Sequence, residues 1–298
     1  MKRISAFLFA LALLAGLAVG AGAIAGTEAG ATAGRDAGAT FFFVQLSDPQ
    51  FGFFSGDSDY AQETANLEFA IATLNRLRPA FVVVTGDLVN KAGDAAQIGE
   101  YRRIVARLDP AIPIYHVAGN HDVGNVPTPE SLEAYRRALG PDHYVFRHDG
   151  FVGIVVNSCL FAAPQAAPGQ AKVQEAWLVA ELARARADGA RHAVVFSHHP
   201  LFIGDAGEPD AYVNVPRTER DRLLDLLSAN RVLFFFAGHH HQNALARAGD
   251  LEVVTTGPIG RPLGEGRSGM RIVTVTDAGI THRYYDLSEL PNAITLPR

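Results

Sequence analysis

The sequence predicts an α/β protein built around a largely parallel sheet. Short apolar runs rich in β-branched and aromatic residues recur along the chain, and amphipathic helical stretches lie between them. Continuous apolar runs are typical of strands that are covered on both faces, and alternation with helices favours crossover connections between parallel strands. The length and the 48% hydrophobic content suffice for a large buried core.

Five of the apolar runs share one ending, a small residue followed by a polar residue that can bind a metal. The runs cover residues 41–46, 81–85, 112–118, 193–196 and 232–237, and the polar residues are Asp48, Asp87, Asn120, His198 and His239. Open α/β sheets bind their ligands outside the carboxyl ends of the strands. We therefore expect all five polar residues along one rim.

Helical periodicity and turn signals place the remaining elements. Amphipathic stretches predict helices at residues 67–77, 98–108, 132–139, 173–185 and 218–227. Two strand pairs, at residues 144–157 and 271–285, turn at glycines and predict a second, partly antiparallel sheet. No boundary divides residues 40–290, so we expect one domain there and a C-terminal tail at 291–298.

The N-terminus is typical of a secretory signal. Lys2 and Arg3 precede an uncharged apolar run, and Ala23-Ile24-Ala25 supplies small residues for cleavage. The run is shorter than the roughly 20 residues that span a bilayer comfortably. We expect a signal peptide at residues 1–25, a flexible linker at 26–39, and an exported protein, periplasmic or secreted, with no stable membrane insertion after cleavage.

Charge and cysteine content exclude some classes of function. The chain has 26 basic and 31 acidic residues, a net charge of -5, so it lacks the basic field of a nucleic-acid binder. No nucleic-acid binding is expected. Cys159 is the only cysteine and follows an apolar run, which favours a buried, inert thiol. Without a disulfide, stability must come from the core and from bound metal.

The polar residues at the strand ends can support two-metal chemistry. Two carboxylates, an amide oxygen and several imidazoles can hold two divalent cations that share one carboxylate. Such pairs serve phosphate ester hydrolysis, with hydroxide from a water between the ions as the nucleophile and a separate imidazole as the acid for the leaving group. Asp48 and Asp87 could alternatively cap helices after strands, but the further candidates, in order along the chain, favour metal ligands.

The motifs resemble those of the calcineurin-like metallophosphoesterases. They are Asp48-Pro49-Gln50, Gly86-Asp87, Gly119-Asn120-His121-Asp122, Ser197-His198 and Gly238-His239-His240-His241. Residues 48–52, 119–128 and 282–285 more narrowly resemble the calcineurin-like phosphoesterase domain-containing phosphatases, also called complete Ser/Thr phosphatases. The resemblance implies a four-layer αββα sandwich with two mixed sheets. It also implies a phosphatase acting on a phosphorylated protein or a small phosphate ester.

The resemblance assigns overlapping sets of metal ligands. It implies Asp48, Asp87 and His241 for the first ion and Asp87, Asn120, His198 and His239 for the second. By the same resemblance His121 is the general acid and Asp122 orients it. The candidate ions are Mn, Mg, Fe and Zn.

Gln50 departs from the wider family, in which the first motif is usually Asp-x-His. A glutamine oxygen can bind a hard cation but is a poorer donor than imidazole for Zn or Fe(II), so we expect Gln50 at or beside a first site that favours Mn or Mg. A degenerate first site leaves a non-catalytic metal-binding or scaffold protein as an alternative. The same rim would also serve a phosphodiesterase for cyclic nucleotides or phospholipid headgroups.

Substrate contacts are expected from loops beside the motifs. The candidates are Asn90, His199, His240, Arg261 and Arg267. Either arginine could bind a phosphate through two N–H groups. Asn90 stands where purple acid phosphatases have a tyrosine ligand, so the resemblance argues against an iron–tyrosinate centre.

Overall fold

The computed structural model describes residues 39–297. The predicted signal peptide and the linker up to residue 38 lie outside the described residues and stay predictions. In the part of the chain from 39 to 297, no helix is both long enough and apolar enough to cross a membrane.

The described chain contains eleven strands and seven α-helices. The strands are β1 (Phe41–Leu46), β2 (Val82–Val84), β3 (Ile114–His116), β4 (Tyr144–His148), β5 (Phe151–Val155), β6 (His192–Phe196), β7 (Phe234–Ala237), β8 (Ala244–Ala248), β9 (Leu251–Thr255), β10 (Gly269–Thr276) and β11 (Gly279–Asp286). The helices are α1 (Ala61–Leu77), α2 (Ala95–Val105), α3 (Asn120–Val123), α4 (Pro129–Leu139), α5 (Cys159–Ala162), α6 (Pro168–Ala187) and α7 (Arg217–Ala229). Short 3₁₀ turns lie at Pro164–Ala166 and Leu287–Glu289.

The strands form two mixed sheets. The five-stranded sheet has the order β11-β10-β1-β2-β3, and the six-stranded sheet has the order β4-β5-β6-β7-β9-β8. Strands β1 to β3 are parallel, as are β5, β6, β7 and β9, while β4, β8, β10 and β11 pair antiparallel. The two predicted hairpins therefore belong to different sheets, because β10 pairs with β1. The β8–β9 hairpin was not predicted.

Strand β1 shows why its apolar run is continuous. Successive side chains of a strand point to opposite faces. Phe41 and Phe43 lie in a buried cluster between the two sheets, whereas Phe42, Val44 and Leu46 lie in a cluster with α1 and α2. Both faces of β1 are thus buried, as its composition predicted.

Three hydrophobic clusters separate four layers. The cluster between the sheets contains Phe43, Phe81, Phe196 and Phe236, with the rings of Phe43 and Phe81 stacked 4.8 Å apart. A second cluster joins the five-stranded sheet to α1 and α2, and a third joins the six-stranded sheet to α6 and α7. The four-layer αββα arrangement with two mixed sheets is confirmed.

The five predicted helices are present, and each begins earlier than its apolar period. In α2 the side chain of Asp94 accepts hydrogen bonds from the amides of Ala96 and Gln97, and in α4 the Thr128 side chain accepts from the amide of Ser131. The first turns of these helices are capped by polar side chains and contain no periodic apolar residues. The hydrophobic period therefore did not predict them. Helix α2 ends at Val105, before the predicted end.

The residues predicted as a C-terminal tail contact the domain. Ile294 and Leu296 pack against the cluster that contains α1, and Arg76 donates hydrogen bonds to the carbonyls of Pro291 and Asn292. Residues 291–297 thus lie on the outer layer beside α1.

Removing the Phe43 ring tests the core between the sheets. Phe43 is 0% exposed, so Phe43→Ala should lower the free energy of unfolding by about 3–5 kcal/mol through lost burial and a residual cavity. Urea denaturation would measure it. Phe69 on α1 is 50% exposed, and Phe69→Ala is the matched control, expected to change stability by about 0.5 kcal/mol or less. Equal effects would contradict a core centred on Phe43.

Candidate metal centre

The predicted ligands converge at the carboxyl ends of strands from both sheets. Asp48 and Asp87 follow β1 and β2, and Asn120 follows β3 of the same sheet. His198 and His239 follow β6 and β7 of the other sheet. The single rim expected from the sequence is therefore shared by two sheets that face each other.

Five residues of the site have left-handed backbones. Their φ angles are 48° at Asp48, 41° at Gln50, 49° at Asp87, 67° at His239 and 56° at His241. A left-handed conformation at a non-glycine residue costs about 1–3 kcal/mol, and such residues cluster at functional sites. The turns after β1, β2 and β7 thus adopt a costly shape that directs these side chains inward.

Two glycines allow these turns to approach one another. A Cβ atom on Gly119 would overlap the amide nitrogen and the carboxylate of Asp87. A Cβ atom on Gly238 would overlap Ser47 Oγ and the Asp48 carboxylate. The glycines before Asn120 and His239 are therefore required by close packing between the motif loops.

The first donor set consists of Asp48, Asp87 and His241, whose ligand atoms all lie within 4.8 Å of one another. His241 Nδ1 donates to the Arg261 carbonyl at 2.6 Å, which leaves Nε2 facing Asp48 Oδ1 at 3.4 Å. The amide of His239 donates to both oxygens of Asp48. All three ligands are buried.

The second donor set contains two imidazoles whose tautomers are determined by main-chain carbonyls. His198 Nδ1 donates to the Thr85 carbonyl, and His239 Nε2 donates to the Tyr212 carbonyl, both at 2.8 Å. His198 Nε2 and His239 Nδ1 are left facing each other at 3.1 Å. In neutral rings both of these atoms carry lone pairs.

Further lone pairs point to the same place. Asn120 Oδ1 lies 2.9 Å and Asp87 Oδ2 lies 3.3 Å from His198 Nε2. Acceptors packed this closely repel one another unless a positive charge, either a proton on His198 or a metal cation, lies among them. Asp87, His198 and His239 form one cluster of ligand atoms within 4.8 Å, and Asp87 also belongs to the first set. The carboxylate of Asp87 is thus placed to bridge two ions.

The electrostatics of the second set favour positive charge. Burial by itself would lower the pKa of His198, but the Asp87 carboxylate outweighs burial and raises it to about 9. Burial would likewise raise the pKa of Asp87, yet the charge on His198 holds it below its usual range. Burial and the charge on His198 lower the pKa of His239 to about 4, so the His239 ring stays neutral and keeps a lone pair for a metal. Carboxylate and imidazole donors held in this way fit a divalent metal.

The Gln50 side chain is held by a hydrogen bond to Asn90. Gln50 Nε2 donates to Asn90 Oδ1 at 3.2 Å, and Asn90 Nδ2 donates to Asp57 Oδ1 at 2.9 Å. Gln50 Oε1 is buried and has no hydrogen-bond partner among residues 39–297. A buried carbonyl oxygen without a partner costs free energy, so this atom fits a hard cation or its water.

The structure gives Asp122 partners other than the His121 ring that it is expected to orient. Asp122 is buried, and its two oxygens accept hydrogen bonds from the amides of Gly119 at 2.8 Å, Leu88 at 2.9 Å and Val89 at 3.3 Å. Burial and the neighbouring Asp87 raise its pKa to about 8. Asp122 therefore joins two motif loops through their backbones.

The His121 ring is oriented by Asn90 instead. His121 Nδ1 lies 2.7 Å from the Asn90 carbonyl, and the amide of His121 donates to Asp87 Oδ1 at 2.8 Å. The carbonyl can only accept, so Nδ1 carries the proton of this bond and Nε2 is free for proton transfer. Sequence reasoning missed this contact because it uses a main-chain atom, which residue type does not reveal.

Comparison with known proteins identifies the family. The calcineurin-like phosphoesterase family matches residues 43–243. Serine/threonine-protein phosphatase CPPED1 of Bos taurus is 37% identical over 265 residues, which cover 84% of this chain and 85% of that protein. The Homo sapiens protein of the same name is 36% identical over 266 residues, with the same coverage. The chain belongs to the calcineurin-like phosphoesterase family.

Solved structures share the fold of this phosphoesterase. A dimetal phosphatase from Danio rerio has a TM-score of 0.57 and 17% identity and covers 84% of this chain and 100% of its own. GAP50, the anchor in the inner membrane complex of Plasmodium, has a TM-score of 0.63 and 14% identity, with 83% and 85% covered. A purple acid phosphatase from yellow lupin has a TM-score of 0.61 and 14% identity, with 84% and 52% covered. These identities support a common fold alone.

Family membership makes the protein a metal-dependent phosphoesterase of the phosphatase branch, as the sequence predicted. The two donor sets bring together aspartates and histidines, which are residue types that bind divalent metal ions. Cys159 is not a competing nucleophile, because it is buried and burial raises the pKa of its thiol well above the ordinary value.

The candidate substrate residues occupy different environments in this phosphoesterase. His199 is buried, with Nδ1 2.9 Å from Ser158 Oγ, and burial lowers its pKa. The Arg261 guanidinium lies over the Phe53 ring, and the Phe53 ring is 5.2 Å from the His241 ring. Arg261 is therefore separated from the first donor set by one aromatic ring. His240 is half-buried, and burial lowers its pKa.

Two further candidates, Asn90 and Arg267, contact other side chains of the protein. Arg267 Nε lies 3.9 Å from Asp286 on β11, and its side chain is 74% exposed. The Asn90 side chain is engaged by Gln50 and Asp57 and is better described as a support for the site. Sequence reasoning also missed Tyr212, whose loop carries no motif.

Two substitutions test whether Asp87 is shared. Asp87→Asn should release both ions, whereas Asp48→Asn should release only the first, so elemental analysis should find about zero and about one ion per chain against about two in the parent. Circular dichroism of each purified variant would control for folding. Retention of one ion by Asp87→Asn would contradict a bridging carboxylate.

Proposed function

We propose that the protein is an exported two-metal phosphomonoesterase whose substrates are phosphoserine or phosphothreonine proteins or small phosphate esters. The observation that carries this proposal is the position of Asp87, which belongs to both donor sets and accepts a hydrogen bond from the amide of His121. One carboxylate thus connects two ion sites to the residue that can protonate a leaving group.

The residues that would hold the ions are those of the two donor sets. Asp48, Asp87 and His241 would bind the first ion with Gln50 Oε1 as a further oxygen donor, a set that favours Mn or Mg. Asp87, Asn120, His198 and His239 would bind the second. Bound divalent ions would lower the pKa of a coordinated water and withdraw charge from the phosphoryl oxygens.

His121 completes the reaction from outside the donor sets. Its Nδ1 proton is held by the Asn90 carbonyl, so Nε2 is the atom that exchanges protons. As a water-derived oxygen bonds to phosphorus and the bond from phosphorus to the leaving oxygen breaks, Nε2–H of His121 donates its proton to the leaving oxygen and prevents an alkoxide from forming. The Asn90 carbonyl and the amide contact with Asp87 hold the ring in position throughout.

Charge and family support the choice of substrate. The relatives at 36–37% identity are named serine/threonine-protein phosphatases and are covered over 85% of their length. The net charge of -5 does not favour polyanionic nucleic acid. Export, to the periplasm or outside the cell, rests on the N-terminal signal pattern in the sequence.

Comparison of a monoester with its diester tests the reaction class. Protein reconstituted with Mn²⁺ should hydrolyse p-nitrophenyl phosphate with a kcat/KM at least about tenfold above that for bis(p-nitrophenyl) phosphate. Phosphoserine and phosphothreonine peptides would then rank the substrates. Asp87→Asn is the control for contaminating phosphatase, because it removes both ion sites.

Each other outcome selects a different function. Preference for the bis ester would overturn the monoesterase in favour of a phosphodiesterase. Binding of two ions without turnover of either ester, in folded protein supplied with Mn, Mg, Zn or Fe, would favour a metal-binding or scaffold protein.

His121→Ala tests the general acid. It should lower kcat for an alkyl phosphate such as phosphoserine by about 10²–10⁴. The loss should be smaller for p-nitrophenyl phosphate, because p-nitrophenolate leaves without a proton. Metal content should not change, since His121 lies outside both donor sets. Equal losses for the two leaving groups would contradict proton donation.

A further inference from the structure

Tyr212 contacts two ligands of the second ion, although its loop carries no metal motif. It lies between β6 and α7, its side chain is 63% exposed, and its ring centroid is 4.8 Å from that of His239. An exposed aromatic side chain beside a buried site can contact a molecule that enters the site. Its polar atoms, in contrast, point toward the site.

The loop that carries Tyr212 is held by a buried charge. Arg220 on α7 is 0% exposed, and its guanidinium donates to the carbonyls of Val215, Ala206 and Glu208 at 2.7–3.1 Å. The Glu208 carboxylate accepts from the amides of Ile203 and Gly204. Charge-assisted bonds of this kind are the stronger ones in proteins. The loop is thus braced in one conformation from within the fold.

The main chain and the side chain of Tyr212 each contact one ligand. The Tyr212 carbonyl accepts from His239 Nε2 at 2.8 Å, which leaves Nδ1 of that ring for an ion. The Tyr212 hydroxyl accepts from Asn120 Nδ2 at 2.9 Å. Asn125 Oδ1 accepts from the same Nδ2 at 2.8 Å.

These contacts determine which end of the Asn120 amide faces the ion. An amide has an oxygen that can bind a metal and a nitrogen that cannot, and the two are nearly equal in size. With both Nδ2 hydrogens accepted by Tyr212 and Asn125, Oδ1 points toward His198. A rotated amide would present N–H groups to the ion and lose both acceptors.

We propose that Tyr212 is a positioning residue for the second metal ion. Its hydroxyl selects the oxygen-inward orientation of Asn120, while its carbonyl selects the tautomer of His239. The proposal rests on the two-metal site of the proposed function but not on turnover. It makes affinity for the second ion depend on the loop that Arg220 braces.

Tyr212→Phe removes the hydroxyl and keeps the ring and the carbonyl. Mn²⁺ titration of the folded protein by calorimetry, without substrate, should show one of two affinities weakened by about 10–100-fold, the usual cost of losing a partner of a metal ligand. The other affinity should not change. Tyr285→Phe is the matched control, because Tyr285 packs against the cluster around α1.

Asn125→Ala provides a second measurement, at a residue whose Oδ1 also accepts from the Tyr212 hydroxyl at 3.4 Å. It removes the other acceptor of Asn120 Nδ2, so each single variant leaves one acceptor and the double variant leaves none. The double variant should lose more affinity than the two singles combined, because only then is the amide free to rotate. Strictly additive losses would overturn the orienting role.

The metal titration separates this proposal from the proposed function. Affinities of Tyr212→Phe within about twofold of the parent, or equal weakening of both ions, would overturn the role of Tyr212. Two-ion binding weakened as expected, in protein that hydrolyses no phosphate ester, would support Tyr212 and reject the phosphatase. A parent chain that binds no second ion would overturn both.

Discussion

The lone pairs of the buried Asp87 carboxylate, the Asn120 amide and the imidazoles of His198 and His239 converge on one point. The rest of the architecture makes this convergence possible. Strand ends from two sheets must meet, so the aromatic core between the sheets sets their separation. Turns must point inward, which requires left-handed backbones at Asp48, Asp87 and His239. Backbone strain and repulsion between acceptors are both offset when divalent cations bind, because cations attract every donor in the set.

Four of the candidate ligands are each oriented by a hydrogen bond from a second polar atom of the side chain. His198 donates to the carbonyl of Thr85, His241 to that of Arg261, and His239 to that of Tyr212. Gln50 donates through its amide nitrogen to Asn90. Such partners determine which atom of each side chain faces a metal. Three of these four contacts use main-chain carbonyls, so the fold itself, more than residue identity, specifies the coordinating atoms.

A buried polar chain links the rim to the β10–β11 hairpin. Arg271 donates to Thr256 at 2.7 Å and lies 3.0 Å from His282 Nδ1. Thr256 donates to Gln45, which donates to Thr85, whose carbonyl holds the candidate metal ligand His198. Pairing of β10 with β1 brings this hairpin into the five-stranded sheet. These hydrogen bonds cross between the two sheets and so connect the two halves of the rim.

The sequence by itself determined the alternation of strands and helices and the ligands at the strand ends. Each depends on a local pattern, an apolar run followed by a small residue and then a ligand such as Asp48, Asp87 or His239. Only the tertiary structure decided which groups form hydrogen bonds with these side chains. Asp122 binds backbone amides of another loop, and Tyr212 meets Asn120 across 92 residues. These contacts depend on how distant loops pack, and main-chain atoms leave no signature in residue type.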